Sequence, residues 1–199
     1  MHGMQYNMKG VAGLLLFIGI LQFLFSLMAA EFLYPGYSVS QNYISDLGAT
    51  CRSTCQIFQP SSSIFNTSLV VTGVFVIASG YFYLKAKVPK SRALIILLWI
   101  AGIASAGVGL FPETTGIFHT IFSVIVFFSM AFAAIFSYRV TKMPLKIISA
   151  LLGLFTLSFI FLYIGKIYLG LGAGGAERFI VYPVLFWALA FSGSLMSSE

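Results

Sequence analysis

Residues 10–30, GVAGLLLFIGILQFLFSLMAA, decide the fold: after Lys9 the chain carries no charge until Glu31. As a helix rising about 1.5 Å per residue, this run is about 30 Å long, the thickness of a bilayer's hydrocarbon core. Working outward, comparable apolar runs recur at 63–84, 93–111, 117–138 and 147–168, and a last one at 178–196, the first run extending to 31. Of the residues, 59% are hydrophobic and 8% charged, whereas an ordinary soluble domain is about a quarter charged. A soluble fold of 199 residues could not hide that much apolar surface. The pattern predicts an all-α bundle of six transmembrane helices, residues 1–199 forming one domain with nothing left over for a soluble one.

The first run also fits a signal peptide cleaved near Met28-Ala29-Ala30, but it is read as a retained span. The net charge of +6 would suit nucleic acid only if the basic residues shared a polar face. They sit at helix ends instead, so no nucleic-acid partner is expected. Lys85, Lys87, Lys90 and Arg92 fill the second connection, and Arg139, Lys142 and Lys146 the fourth. The positive-inside rule makes both cytoplasmic, with both termini, in a cell membrane. Glu31, Asp46, Glu113 and Glu177 then fall at the outer side, with His119 and Arg178 at the outer ends of their spans. Only Glu199 lies inside.

The connection from Glu31 to Ser62 is the only long one. Loops of that length are functional or disordered; its Tyr34-Pro35-Gly36-Tyr37 start and its cysteines predict an ordered cap over the outer mouth. Cys51 and Cys55 lie in that loop, on the oxidising side, and are expected to form a disulfide. The alternative is a metal site, which two thiols without nearby histidines serve poorly. An internal repeat is also suggested. Ile64-Phe65-Asn66-Thr67 opens the second span and Ile117-Phe118-His119-Thr120 the fourth, 53 residues later, placing Asn66 and His119 at equivalent depths.

Gly170-Leu171-Gly172-Ala173-Gly174-Gly175 fits G-x-G-x-x-G but lacks the βαβ context of a dinucleotide site. It reads as a turn before the sixth span that backbone can approach closely. Asn66-Thr67-Ser68 is a glycosylation sequon placed inside a helix. Gly102, Ala106 and Gly109 form a packing stripe.

An ionisable residue within a span usually turns toward water, a partner or a substrate path. His119 is such a residue, with Ser123 one turn deeper on the same face; its bland alternative is an interfacial histidine bonded to a loop carbonyl. Asp46 reads equally as a turn or cap aspartate, and Glu177 and Arg178 as helix-entrance residues, with Glu177 in the first turn suiting the dipole. Four such groups on one membrane side suggest a shared site.

Asn42-Tyr43-Ile44-Ser45-Asp46-Leu47-Gly48, Phe65-Asn66, Phe111-Pro112 followed by His119, and the glycine-rich turn ending in Glu177-Arg178 also carry a likeness. The chain resembles the membrane family known as Domain of Unknown Function 998 over most of its length. The resemblance implies six spans and recurrent polar positions at Asp46, Asn66, His119, Glu177 and Arg178. It brings no settled activity.

Three functions are weighed. The first is a protein binding or acting on a lipid or isoprenoid head group at the outer leaflet. His119 would be acid or base, Asp46 or Glu177 its orienting partner, and Arg178, Asn66, Ser123 and Ser45 substrate-binding, with the two serines as secondary nucleophile candidates. The second is a non-catalytic accessory or structural subunit, which leaves room for a protein partner or homo-oligomer. The third, a small transporter, ranks last because every span is apolar at its middle. Membrane lipids are the expected partners. No cofactor and no metal is assigned: a multi-histidine zinc site is disfavoured because the other histidine, His2, falls on the cytoplasmic side, and a metal held by Asp46, Glu177 and His119 together is the remaining alternative.

Overall fold

The computed structural model describes residues 7–52 and 54–197. His2 and Glu199 lie outside them. Six helices run in sequence: α1 (Met8–Leu33), α2 (Ser61–Lys85), α3 (Arg92–Leu110), α4 (Ile117–Ser137), α5 (Leu145–Ile164) and α6 (Gly172–Met196). Each is long and apolar enough to cross a membrane. Helices suit this solvent because they satisfy their own backbone groups, which lipid cannot do. Hydroxyls inside the spans follow the same logic by donating to the preceding turn, as Ser129 does to the Ile125 carbonyl at 2.7 Å and Thr72 to that of Ser68 at 2.7 Å. Leu14, Phe25, Ile103, Leu151 and Phe161 face outward, as a lipid-facing surface requires.

Consecutive helices pack as neighbours and α6 returns to α1, so the six close into a ring. The predicted stripe lies in the α2–α3 seam. A Cβ on Gly102 would stand 2.8 Å from the Gly73 carbonyl oxygen, so the small residues permit backbone-to-backbone approach. Antiparallel succession puts the two basic connections at one end of the ring and the long connection at the other.

That long connection is an ordered cap. After α1 the chain turns at Gly36, whose φ is +71°, and Tyr34 seats its ring 4.5 Å from Phe58 while its hydroxyl meets Thr50 Oγ1 at 2.6 Å. A 3-10 turn at Ser45–Leu47 then dips into the bundle, leaving Ile44, Asp46, Leu47 and Ala49 buried. Next come two short antiparallel strands, β1 (Thr50–Cys51) and β2 (Cys55–Gln56), with Cys51 opposite Cys55. The predicted disulfide joins these two residues.

The sixth helix differs from expectation. It begins at Gly172 rather than 178, because the glycine run is the seat of the cap: Gly174 N–H donates to the Ser40 carbonyl at 2.9 Å. A Cβ on Gly174 would collide with the Asn42 carbonyl. Glu177 and Arg178 therefore lie in the second turn of α6, and no acidic residue occupies its first turn, which corrects the dipole reading. The fifth helix ends at Ile164, short of the expected 168.

Candidate functional site

Glu177 and Arg178 are adjacent, but successive residues of an α-helix point about 100° apart. Within α6 this sends them to different places. Glu177, 6% exposed, turns inward. Its Oε2 accepts the Ile44 N–H of the cap at 2.5 Å, and Oε1 has no hydrogen-bond partner among the described residues. Arg178, 4% exposed, reaches toward the cap and the α1 end. It donates to the Val39, Asn42 and Gly174 carbonyls at 2.9, 3.1 and 3.0 Å, to Glu31 at 2.6 Å and to the Tyr37 hydroxyl at 2.6 Å. Burial pushes the Tyr37 hydroxyl above its ordinary pKa, although Arg178 beside it works the other way. Tyr37 therefore keeps its proton and donates a hydrogen bond to the Tyr43 carbonyl at 2.8 Å.

Asp46 folds back on its own loop. Its Oδ2 accepts from Asn42 Nδ2 at 3.1 Å, Tyr43 N–H at 2.9 Å and Arg52 at 2.8 Å. The turn reading of Asp46 thus describes its contacts. Asn66 donates to the Gly48 carbonyl at 3.3 Å and to Ser62 Oγ at 3.2 Å, bracing the cap from α2. Ser45 donates to Glu113 at 2.6 Å, and the same carboxylate takes the Cys51 N–H at 3.1 Å.

His119 is buried on α4. Its Nδ1 lies 2.9 Å from the Phe111 carbonyl, an oxygen that can only accept, so Nδ1 carries a proton. In the neutral ring, Nε2 is then the lone-pair nitrogen, and Ser123 Oγ lies 3.3 Å from it. The group orienting the ring is this carbonyl; His119 hydrogen-bonds to neither Asp46 nor Glu177. Asn66 and His119 perform parallel tasks, each holding a backbone carbonyl near the start of its helix.

Beneath the cap is an interior chamber of about 100 Å³. Its walls are apolar side chains of α1, α2, α3, α4 and α6, among them Phe23, Phe65, Val108, Met130 and Leu185, and its polar upper wall is Ser45, Ser123 and Glu177. On α4 it runs from Ser123 to Met130 and on α2 from Phe65 to Val76, about 11 and 17 Å of helix. Arg178 borders a separate groove of about 700 Å³ between α5 and α6, beside Ser38 and Tyr182.

The predicted residues thus form two groups. Glu177, Ser45 and Ser123 face one chamber, with His119 joined through Ser123. Arg178, Asp46 and Asn66 hold the cap. Sequence reasoning missed Glu113, Glu31, Arg52 and Tyr37 as their partners. Glu31 and Glu113 did stand on the same predicted side; nothing local in the sequence paired them with residues 147 and 68 positions away. Among the described residues no group of three or more His, Cys, Asp or Glu could hold a metal ion. No curated protein and no solved structure shows a significant match to the chain. Residues 17–194 match the family described as a protein of unknown function, DUF998, and the chain belongs to that family.

Proposed function

We propose that this protein sits in the cell membrane with its cap outside and binds or acts on a lipid or isoprenoid head group in the chamber, with His119 as acid/base. The observation that carries the reading is an apolar shaft closed above by Glu177, Ser45 and Ser123, with Ser123 Oγ at 3.3 Å from His119 Nε2. At about 100 Å³ such a shaft suits a short apolar segment next to the head group, whose polar end meets the carboxylate and hydroxyls. Because Nδ1–H is committed to the Phe111 carbonyl, the ring cannot turn without losing that bond, and Nε2 stays aimed at Ser123. A proton released at the Ser123 hydroxyl, or relayed through it from a bound head group, passes to Nε2.

The test is mass-spectrometric identification of lipid co-purified from native membranes. One class is expected to be enriched over bulk lipid and to be lost in a chamber-filling Ala101→Phe variant; no enrichment would overturn the reading. A second reading, a non-catalytic accessory subunit, is supported by Arg178, Asp46 and Asn66 all being engaged in holding the cap. His119→Asn separates the two: it keeps a donor for the Phe111 carbonyl and removes Nε2. Turnover of the identified lipid by the wild type and its loss in this variant, at unchanged stability, supports acid/base chemistry. A wild type that leaves the lipid unchanged supports the accessory reading.

A further inference from the structure

The polar side chains on the chamber wall are Ser45, Thr72, Ser105, Ser123 and Glu177, and the destinations of their protons narrow the ligand. Ser45 gives its hydroxyl proton to Glu113 at 2.6 Å. Thr72 gives its own to the Ser68 carbonyl at 2.7 Å and receives one from Gln22 at 2.6 Å. Ser105 donates to the Leu69 carbonyl at 3.1 Å. Ser123 faces Nε2 of a ring whose Nδ1 already holds a proton, so in the neutral ring it donates there. Glu177 brings a carboxylate whose Oε1 has no partner among the described residues, and its Oε2 is occupied by the Ile44 N–H. Every polar side chain on the wall has spent its donor elsewhere. With Glu177 ionised, what these side chains offer inward is lone pairs and a negative charge.

We infer that the chamber selects an amphiphile whose head group donates hydrogen bonds, a hydroxyl or an ammonium on an apolar tail, and rejects phosphate and carboxylate heads. The inference rests on the reading of the chamber as a lipid-type site and names its substrate class. A phosphate or carboxylate there would face acceptors on every polar side chain, bury its own oxygens unpaired and meet the Glu177 charge. Of the nearby guanidiniums, Arg52 is already paired with Asp46 at 2.8 Å, and Arg178 is no remedy either. It borders the other groove and is already paired with Glu31 at 2.6 Å. An alcohol or amine instead supplies the proton that Glu177 Oε1 lacks.

The test uses the full chain in detergent, with a thiol placed on the wall as Val126→Cys and a reference thiol on the lipid face as Val124→Cys. The native cysteines are disulfide-bonded and do not compete. Protection of the wall thiol from an apolar alkylating reagent, relative to the reference, is titrated with hexanol, hexylamine, hexyl phosphate and hexanoate. Hexanol or hexylamine is expected to protect at concentrations about tenfold or more below the two anions, the ratio set by one buried polar group left unpaired. Whichever of the two protects better identifies the head as hydroxyl or ammonium. Equal or better protection by hexyl phosphate or hexanoate overturns the inference and leaves the lipid reading standing. Selective protection by none of the four overturns both. Glu177→Gln puts an N–H on the wall and is expected to erase the preference; a preference that survives it overturns the assignment to Glu177.

Discussion

Arg178→Met tests whether the cap is held by one buried side chain. Arg178 makes five hydrogen bonds: three to carbonyls, one to Tyr37 and one to Glu31. Removing one partner of a buried ion pair costs about 3–5 kcal/mol. The Glu31 side chain is 20% exposed, so the lower end, about 3 kcal/mol, is the better figure. The two cap carbonyls, Val39 and Asn42, lose their donor and add about 1 kcal/mol between them once water is allowed to return. The total is about 4 kcal/mol, or roughly a thousandfold in the ratio of closed to open cap. Hydrogen exchange of the amides of Ile44, Leu47, Gly48 and Ala49 reads that ratio directly, since all four are bonded inside the cap or to Glu177. Arg178→Lys keeps the charge but not the planar fork, so about half the loss, roughly 2 kcal/mol, is expected. Exchange in Arg178→Met within about tenfold of wild type would refute the reasoning.

Further outcomes are expected. A thiol introduced as Lys90→Cys should react with an impermeant reagent only from the cytoplasmic face; labelling from outside would invert the orientation derived from the basic connections. Gly174→Val should cost about 1–3 kcal/mol and speed exchange across 38–42, because its side chain meets the Asn42 carbonyl; unchanged exchange would show that the cap does not sit there. Cys51→Ser with Cys55→Ser opens a small ring, for which loop-closure entropy gives about 2 kcal/mol. That loss is measurable as a lower unfolding midpoint, and a midpoint matching the oxidised wild type would count against it. In Glu113→Ala, Ser45 and the Cys51 N–H lose their acceptor together, so faster exchange should centre on the Ser45–Cys51 segment and spare 38–42.

Some of the site is legible in the sequence alone. Buried small residues in α3 and the cysteine pair announce themselves through spacing, since a helix face or a tight loop is a local object. The pairing of His119 with Ser123 was readable for the same reason: i and i+4 share a face. Glu113 and Glu31 were not, because their partners are set by how the cap enters the ring, and no periodicity encodes that.

The sequence by itself determined six spans, the separation of basic connections from acidic ones, and the concentration of polar residues at one end. These follow from the cost of charges and unpaired backbone in lipid, which acts on each segment alone. Only the tertiary structure decided which polar residues act together. Glu177 and Arg178, read as helix-entrance neighbours of one pocket, fall in the second turn of α6 because the cap packs on the glycine turn and draws the helix start back to Gly172. Once both are helical, the rotation of about 100° between successive residues sends the carboxylate to the chamber and the guanidinium to the cap.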